Sequence, residues 1–239
     1  IDYNKPRERG HVLTIEERDY IKNDVLIVAK ALKTLFDENL KKMTQGSNAL
    51  ADYKEILTKT RFSRLFPELD YDIDKDLRKS YRGGFTYLNP EFANKTIGNG
   101  IVLDVNSLYP SVMYGCEDEF LPFGTPIFFK GKYKRDDIYP LYVQMISCQF
   151  ELKKGKIPTI QIKHGYNFKG NEYLTSSNDL DVCLCLTNVD LELFLNHYDV
   201  YDLEYYSGWK FKAIKGLFTE YISYWSAKKI QAKKDGNGA

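Results

Sequence analysis

One aspartate stands out because of the residues around it. In GNGIVLDVNSLYPSVMY, residues 98–114, three aliphatic residues lie directly before Asp104. If IVL is a buried strand, the Asp104 carboxylate lies at a sheet edge, where it can bind a hard cation such as Mg²⁺ together with phosphate oxygens. The carbonyl of Val105 can add a second oxygen ligand. The alternative is an aspartate that ends the strand and caps the following helix, which is a common structural use.

The residues after Asp104 suit a negatively charged ligand. Asn106 and Ser107 favour a turn whose backbone N–H groups can point at an anion. Tyr109 is followed by Pro110, which restricts the tyrosine backbone and would hold its ring near whatever the metal binds.

Two further pairs of residues are candidates for joint action. Gly83 and Gly84 in YRGGF allow another chain or a ligand to approach the backbone closely, although an ordinary hairpin turn would also use them. Tyr20 and Asp24 are four residues apart and would share one face of a helix. Their alternative is a solvated aspartate beside a half-buried tyrosine.

The net charge of the chain does not indicate a nucleic-acid partner, whereas a lysine-rich segment and the tyrosine content are compatible with one. The net charge of the 239 residues is +1, so the chain as a whole has no electrostatic signature of nucleic-acid binding. Between positions 210 and 234, however, seven lysines face one acid, Glu220, which would suit a phosphate-rich partner or a solvated helix end. Tyrosine (19) outnumbers phenylalanine (14), as expected for a surface that binds something flat or wet.

Several classes of protein are disfavoured. No apolar run approaches the length of a membrane span, and the first residues do not resemble a signal peptide. The four cysteines, at positions 116, 148, 183 and 185, lack C-x-x-C spacing, so we expect reduced core thiols. These features predict a soluble intracellular protein with no membrane partner.

The elements that must position these residues are mixed. Thr14 and Glu17 have the spacing of a capping box, and apolar residues then recur at helical steps, which predicts a helix over 14–43. Shorter helices are predicted over 74–81 and 189–198, and a polar, loop-rich segment over 164–181. Runs of β-branched and aromatic residues predict strands over 100–104, 126–129, 139–152, 157–163 and 182–188, and a strand pair over 200–212.

The motifs together resemble those of one enzyme family. DVNSLYP is similar to the A motif, D-x-x-S-L-Y-P, of family B DNA polymerases. YRGGF resembles the Y-x-G-G motif between the exonuclease and polymerase modules of that family, and YIKND resembles its third exonuclease motif, Y-x-x-x-D. IPTIQIK, KGNEYL, TNVDLELF and GWKFK resemble the first insertion of the protein-primed subgroup from phages and linear plasmids. The resemblance runs in the family's order along the whole chain.

The resemblance implies roles for the A-motif residues. Asp104 would be one of two carboxylates that hold two Mg²⁺ ions, with the Val105 carbonyl as a further ligand. Ser107 and Leu108 would lie at the triphosphate of a deoxynucleotide. Tyr109 would lie under its sugar and exclude a 2′ hydroxyl.

The resemblance also implies contacts to nucleic acid and phosphate. The template strand would be held by Tyr81, Arg82, Gly83 and Gly84. In W-x-x-x-K (225–229), Lys229, with Lys228 as its alternative, would contact nucleotide phosphates. Further DNA contacts are expected at Lys169 and Tyr173. Tyr20 and Asp24 would belong to an exonuclease site, with Asp24 as a metal ligand.

The fold implied by the resemblance is α+β and modular. Residues 1–50 would end an RNase H-like 3′–5′ exonuclease module, and 51–160 would be a linker and the first part of an antiparallel-sheet palm. Residues 161–210 would be an inserted small α/β subdomain that contacts DNA and the priming (terminal) protein. Residues 211–227 would return to the palm and 228–239 would begin the fingers. The cellular location would be the cytoplasm of the host.

Other family motifs are missing from the 239 residues. No D-x-E motif precedes Tyr20, and neither the fingers motif K-x-x-x-N-S-x-Y-G nor the Y-x-D-T-D motif with the second aspartate occurs. We therefore expect a middle fragment of a protein-primed DNA polymerase that is inactive alone. The alternatives are a non-catalytic remnant that binds DNA or a partner, and an RNase H-like nuclease, for which Asp24 alone is present.

Overall fold

The computed structural model describes residues 6–115, 120–163 and 166–236. It divides the chain into two compact units, Ile1–Thr58 and Lys59–Ala239. Helices and an antiparallel sheet are both present, so the predicted mixed α and β class is confirmed. Among the helices of the described residues, none combines the length and apolarity needed to cross a membrane.

The first unit consists of two helices, α1 (Ile15–Asp37) and α2 (Gln45–Leu57). The predicted capping box is confirmed: the Thr14 hydroxyl accepts from the Glu17 N–H at 3.2 Å, and the Glu17 carboxylate accepts from the Thr14 N–H at 3.0 Å. Helix α1 ends before the predicted position 43. Asn39 has a φ of 63°, a left-handed conformation that stops a helix.

A charged cluster holds the start of α1. The buried Glu17 carboxylate also bonds to the His11 ring and to the Arg7 guanidinium, each at 2.9 Å. The hydrogen bonds from His11, Thr14 and Arg7 lower the pKa of Glu17 to about 2. Three partners for one carboxylate fix the chain that enters the helix.

The second unit is built on one four-stranded antiparallel sheet. Its spatial order is β1-β4-β2-β3. The strands are β1 (Leu121–Lys130), β2 (Leu141–Leu152), β3 (Val182–Thr187) and β4 (Tyr198–Ile214). Predicted strands 126–129, 139–152 and 182–188 are confirmed. The strand pair predicted over 200–212 is wrong, because β4 is a single long strand that pairs with β1 on one side and β2 on the other.

In the described residues of this unit, five α-helices and a short 3₁₀ helix (Pro90–Phe92) accompany the sheet. The α-helices are α3 (Lys59–Leu65), α4 (Tyr71–Arg78), α5 (Leu108–Tyr114), α6 (Asn188–His197) and α7 (Thr219–Lys234). Helix α6 confirms the prediction over 189–198, and α4 begins earlier than the predicted 74–81. Phe194 of α6 packs with Ile146, Phe150 and Leu186 of the sheet and with Tyr198 to form the core. Residues 166–181 contain no helix or strand, as predicted.

Two predicted strands are wrong. Ile101, Val102 and Leu103 are 86%, 97% and 88% exposed and form no strand, because the described residues place no neighbouring strand beside them. Residues 157–163 are also irregular. The N–H groups of Thr159 and Ile160 donate to the Tyr198 hydroxyl instead of to a strand.

The cysteine prediction is corrected at one position. Cys148 and Cys185 are buried, and burial raises the pKa of their thiols to about 12 and about 11. Cys183 is exposed instead, because its side chain points to the opposite face of β3. Cys116 lies outside the described residues.

Candidate active site and nucleic-acid interface

Asp104 lies in an exposed irregular segment that leads into α5. Neither a sheet edge nor a helix cap explains it: the predicted strand is absent, and the residue before the first helical position is Ser107. Ser107 has φ 54° and ψ 51°, so the chain turns sharply between Asp104 and the helix. No described residue gives the Asp104 carboxylate a hydrogen bond or an ion pair. The carboxylate is therefore open to a ligand from solvent.

Gly84, the second glycine of YRGGF, lies close to Tyr109 of the A motif. A Cβ atom built on Gly84 would lie 3.4 Å from the Tyr109 hydroxyl, whereas one built on Gly83 would meet nothing within 4 Å. The Tyr109 side chain is 71% exposed. Two motifs 25 residues apart in sequence thus meet beside an open surface.

The two candidate lysines of α7 have different surroundings. Lys229 Nζ lies 3.5 Å from the Ser107 hydroxyl, at the turn before α5. Lys228 Nζ instead lies over the rings of Tyr224 and Trp225, at 4.7 and 5.0 Å from their centroids. Cation–π contacts of this kind hold an ammonium group against the protein surface. The geometry therefore favours Lys229 as the lysine that faces the A motif.

A hydrogen bond joins the helices that carry Ser107 and Lys229. The Thr219 hydroxyl at the start of α7 donates to the carbonyl of Tyr114, the last residue of α5, at 2.6 Å. A Cβ on Gly115 would lie 3.6 Å from the backbone nitrogen of Gly216, so the chain segments flanking the helices also approach closely. These contacts fix the distance between the A-motif turn and α7.

Arg82 is held on the sheet through backbone oxygens. Its guanidinium donates to the carbonyls of Lys79 at 3.4 Å and Cys185 at 3.5 Å. The Asp76 carboxylate accepts from Lys79 Nζ at 2.7 Å and from Trp209 Nε1 on β4 at 3.3 Å. The hydrogen bond from Lys79 is the main cause that lowers the pKa of Asp76. Because Arg82 bonds to neutral carbonyls, its positive charge stays uncompensated at the surface.

Tyr173, predicted to contact DNA, packs against the residues that follow Gly84. Its ring lies 4.7 Å from Phe85 and 6.3 Å from Tyr87, and its hydroxyl accepts from the Thr86 N–H at 3.3 Å. Lys169 is not brought to this cluster by any described contact; it forms an exposed ion pair with Glu172 at 3.1 Å. An exposed pair of this kind contributes little stability.

A cavity of about 600 Å³ lies beside this segment, and sequence reasoning missed most of its charged lining. The cationic and aromatic residues that line it are Arg78, Lys79, Arg82, Lys163, Tyr81 and Tyr206. Arg78 and Lys79 are paired with Asp74 and Asp76. The run DKDLRKSYR contains three of the cations and was the signal that could have indicated them. Cations with exposed tyrosine rings are typical of surfaces that bind single-stranded nucleic acid.

The exonuclease candidates lie in the first unit. Tyr20 and Asp24 are one turn apart on α1, and Asp24 is exposed. Within residues 6–115, 120–163 and 166–236, no three His, Cys, Asp or Glu side chains lie close enough together to hold a metal ion. Neither Asp24 nor Asp104 therefore belongs to a group of three potential metal ligands in the part of the chain that the structure describes.

Comparison with known proteins places these features in a family. The sequence model for DNA polymerase type B, organellar and viral, matches residues 1–239. The DNA polymerase of Bacillus phage B103 is 52% identical over 233 residues, which are 98% of this chain and 40% of that polymerase. The chain thus spans about 40% of the length of the relatives that it matches.

Solved structures agree over the same range. Phi29 DNA polymerase complexed with primer-template DNA matches with a TM-score of 0.89 and 52% identity, over 97% of this chain and 39% of that one. Its ternary complex with primer-template DNA and incoming nucleotide substrates matches with a TM-score of 0.85 and 52% identity, over 96% and 40%.

Proposed function

Because this chain belongs to the organellar and viral type B DNA polymerases, we propose that the protein containing it adds deoxynucleotides to a primer under the direction of a template. One observation carries the proposal. In the structure Tyr109 of the A motif lies near Gly84, and Ser107 of the same motif lies near Lys229. The motif of Gly84 suggested a template contact and that of Lys229 a contact to nucleotide phosphates.

Each neighbour of the site has a chemical task in this proposal. Lys229 neutralises nucleotide phosphates bound at the turn formed by Ser107 and Leu108. Tyr81 and Arg82 hold the template strand, with Gly83 and Gly84 allowing its backbone to approach. Primer-template DNA and incoming nucleotides, which the phi29 polymerase binds in its solved complexes, are the proposed substrates here. A terminal protein that contacts residues 161–210 is the proposed priming partner, and Lys169 and Tyr173 in that range are proposed DNA contacts.

The oxygen atoms of Asp104 and Val105 are suited to supply part of the ligand set of a magnesium site. The carboxylate is exposed and accepts no hydrogen bond from a described residue, and Mg²⁺ usually takes one or two carboxylates together with substrate phosphates. Two bound Mg²⁺ ions would activate the primer hydroxyl and stabilise the leaving pyrophosphate. Asp104 and the Val105 carbonyl are the ligands proposed from this chain, and a second aspartate from the rest of the protein would complete the site.

Module assignments remain part of the proposal. Residues 1–50 are assigned to the end of a 3′–5′ exonuclease, where Tyr20 and the metal ligand Asp24 would act. Residues 51–160 and 211–227 are assigned to the palm, 161–210 to the insertion and 228–239 to the start of the fingers. With one carboxylate at each centre, the 239-residue chain is expected to be inactive alone, and host cytoplasm is its proposed location.

The test is primer extension by the complete polymerase with Asp104→Ala. We expect nucleotide incorporation to fall to background while the affinity for primer-template DNA stays nearly unchanged, because the carboxylate acts on the reaction and not on the duplex. Asp137→Ala, which removes an exposed carboxylate between β1 and β2, is the matched control. Incorporation above background by the Asp104 variant would refute the assignment.

The sugar gate has its own test. Tyr109→Val removes the ring that would exclude a 2′ hydroxyl, so ribonucleotides should be incorporated more readily relative to deoxynucleotides. Unchanged sugar discrimination would remove Tyr109 from this role.

A second candidate function is DNA binding without catalysis. The cationic and aromatic lining of the 600 Å³ cavity favours it. Primer extension by the complete protein separates the two functions, because only the first predicts it. Binding of the isolated chain to single-stranded DNA, measured by fluorescence anisotropy, is expected under both. Absence of synthesis by the complete protein would leave the binding function.

A further inference from the structure

We infer that Gly84 is a positioning residue for sugar selection: its missing side chain leaves the space in which the Tyr109 hydroxyl lies. This inference rests on the proposed role of Tyr109 as the sugar gate. It gives the second glycine of YRGGF a task that is separate from template binding.

Backbone conformation does not account for glycine at this position. Neither Gly83 nor Gly84 has a positive φ, so both backbones can accept a larger residue without strain. The space around the two residues differs instead. A Cβ on Gly84 would contact the Tyr109 hydroxyl at 3.4 Å, while one on Gly83 would enter open space. A larger side chain at position 84 would therefore press on the Tyr109 side chain, whereas one at position 83 would not.

The backbone segment that contains Gly84 is anchored on both sides. Before it, the Arg82 guanidinium donates to the Cys185 carbonyl at 3.5 Å. After it, the Thr86 N–H donates to the Tyr173 hydroxyl at 3.3 Å. Because both anchors lie on other parts of the fold, moving the segment away from a side chain added at position 84 would break these two hydrogen bonds.

Tyr109 is the side of the contact that can move. It lies in the first turn of α5, and α5 is fixed to α7 by the hydrogen bond from Thr219 to the Tyr114 carbonyl. The helix is thus held, while the exposed ring can rotate about its side-chain bonds. A methyl group at 3.4 Å makes an ordinary contact. The branched side chain of valine reaches further, overlaps the hydroxyl and turns the ring away from the sugar position.

The experiment measures the ratio of kcat/KM for deoxynucleotide to that for ribonucleotide, in the complete polymerase with Mg²⁺ present. Gly84→Val should lower the ratio about tenfold, within the range that a small change of pocket shape produces. Gly84→Ala should lower it little, and Gly84→Ser should fall between the two. Gly83→Val is the control for glycine loss in the same segment: it can weaken DNA binding but should leave the ratio near that of the wild type.

Rescue distinguishes positioning from a general structural defect. Tyr109→Phe keeps the ring but removes the atom that the new side chain would meet. In that background Gly84→Val should change the ratio much less than in the wild type, a coupling that a double-mutant cycle measures. If Gly84→Val does not fold, the serine and alanine variants with and without Tyr109→Phe provide the same comparison.

The outcomes separate this inference from the function on which it rests. A wild-type enzyme that incorporates no deoxynucleotide refutes the proposed polymerase function. A wild-type enzyme that discriminates between sugars, with Gly84 and Gly83 variants that change the ratio equally or with no rescue by Tyr109→Phe, overturns the role of Gly84 alone.

Discussion

Tyr198 holds an irregular segment in place through a single hydroxyl group. Its side chain is 1% exposed. The hydroxyl accepts from the N–H groups of Thr159 at 2.8 Å and Ile160 at 3.3 Å, and it donates to the Leu174 carbonyl at 2.9 Å. A tyrosine hydroxyl has one proton to donate and can accept two hydrogen bonds. Its bonding capacity is therefore fully used, and we predict that Tyr198→Phe destabilises the fold.

The size of the effect follows from what phenylalanine keeps. The ring contacts with Phe150 and Phe194, both at centroid distances of 5.1 Å, would remain. A hydrogen bond contributes about 1 kcal/mol net, and a buried donor left without a partner costs about 1–3 kcal/mol. Ile160 is 2% exposed, so its N–H has no ready access to water. We expect the free energy of unfolding to fall by about 2–4 kcal/mol, out of a typical total of about 5–15 kcal/mol.

Two assays on the 239-residue chain test this value. Urea denaturation gives the change in the free energy of unfolding, with Tyr201→Phe, a tyrosine on the same strand that is 52% exposed, as the control. Hydrogen exchange should show lost protection at the amides of Thr159 and Ile160, while the amides between β2 and β3 stay protected. A loss below about 0.5 kcal/mol, the usual range for surface substitutions, with unchanged protection at these amides would refute the reasoning.

The remaining predictions concern charge and exposure. In the complete polymerase, Lys229→Gln should raise the nucleotide KM about tenfold, as expected for a lost charge-assisted hydrogen bond, whereas Lys228→Gln should change it little; equal effects would contradict the geometry. The pKa of Glu17 is lowered to about 2, so its carboxylate stabilises the start of α1 above the ordinary pKa of the group, and this stabilisation is lost as pH falls towards 2. An acid titration followed by amide NMR should show that loss, and Glu17→Gln should abolish it. Iodoacetamide should modify the exposed Cys183 well before the buried Cys148, whose thiol pKa is raised to about 12; peptide mapping by mass spectrometry would reveal the opposite order.

The sequence predicted those elements that depend on residues close together in the chain or on a regular apolar pattern. The capping box at Thr14 and Glu17 and the apolar run of β2 are such cases. Over 200–212 the sequence predicts a strand pair, but β4 is a single strand that contains Gly208. A Cβ on Gly208 would lie 2.1 Å from the Val143 carbonyl oxygen, so this glycine allows close approach between strands. Glycine within such a run is compatible with a turn and with a close approach, and the sequence alone does not distinguish the two.

At the site, too, the sequence indicated residues within a motif but not their contacts with residues far away in the chain. The motifs indicated Asp104, Tyr109 and Lys229 as candidates, and the apolar run before Asp104 predicted a buried strand that the structure does not contain. They also gave no sign that Asp76 bonds to Trp209, 133 residues away. A pairing partner for a strand and a partner for a carboxylate both come from distant parts of the chain. Spacing within a motif carries no information about either.

The YRGGF segment is irregular and is tied to the fold by single hydrogen bonds that involve side chains. Arg82 donates to the Cys185 carbonyl, and the Thr86 N–H donates to the Tyr173 hydroxyl. These anchors leave the outer surface of the segment uncovered, and Tyr81 is 79% exposed. Tyr109, which lies near Gly84 of this segment, is 71% exposed.

This attachment has a consequence for how the surface responds to a ligand. The hydrogen bond from Thr86 contributes about 1 kcal/mol and the one from the charged Arg82 about 1.5–3 kcal/mol, so the YRGGF segment can detach locally at a lower cost than unfolding the sheet. The Tyr198 hydroxyl differs because three bonds and a buried ring act together. A surface that must accept DNA and nucleotides can therefore adjust at Gly84 and Tyr109, while the sheet beneath it keeps its register.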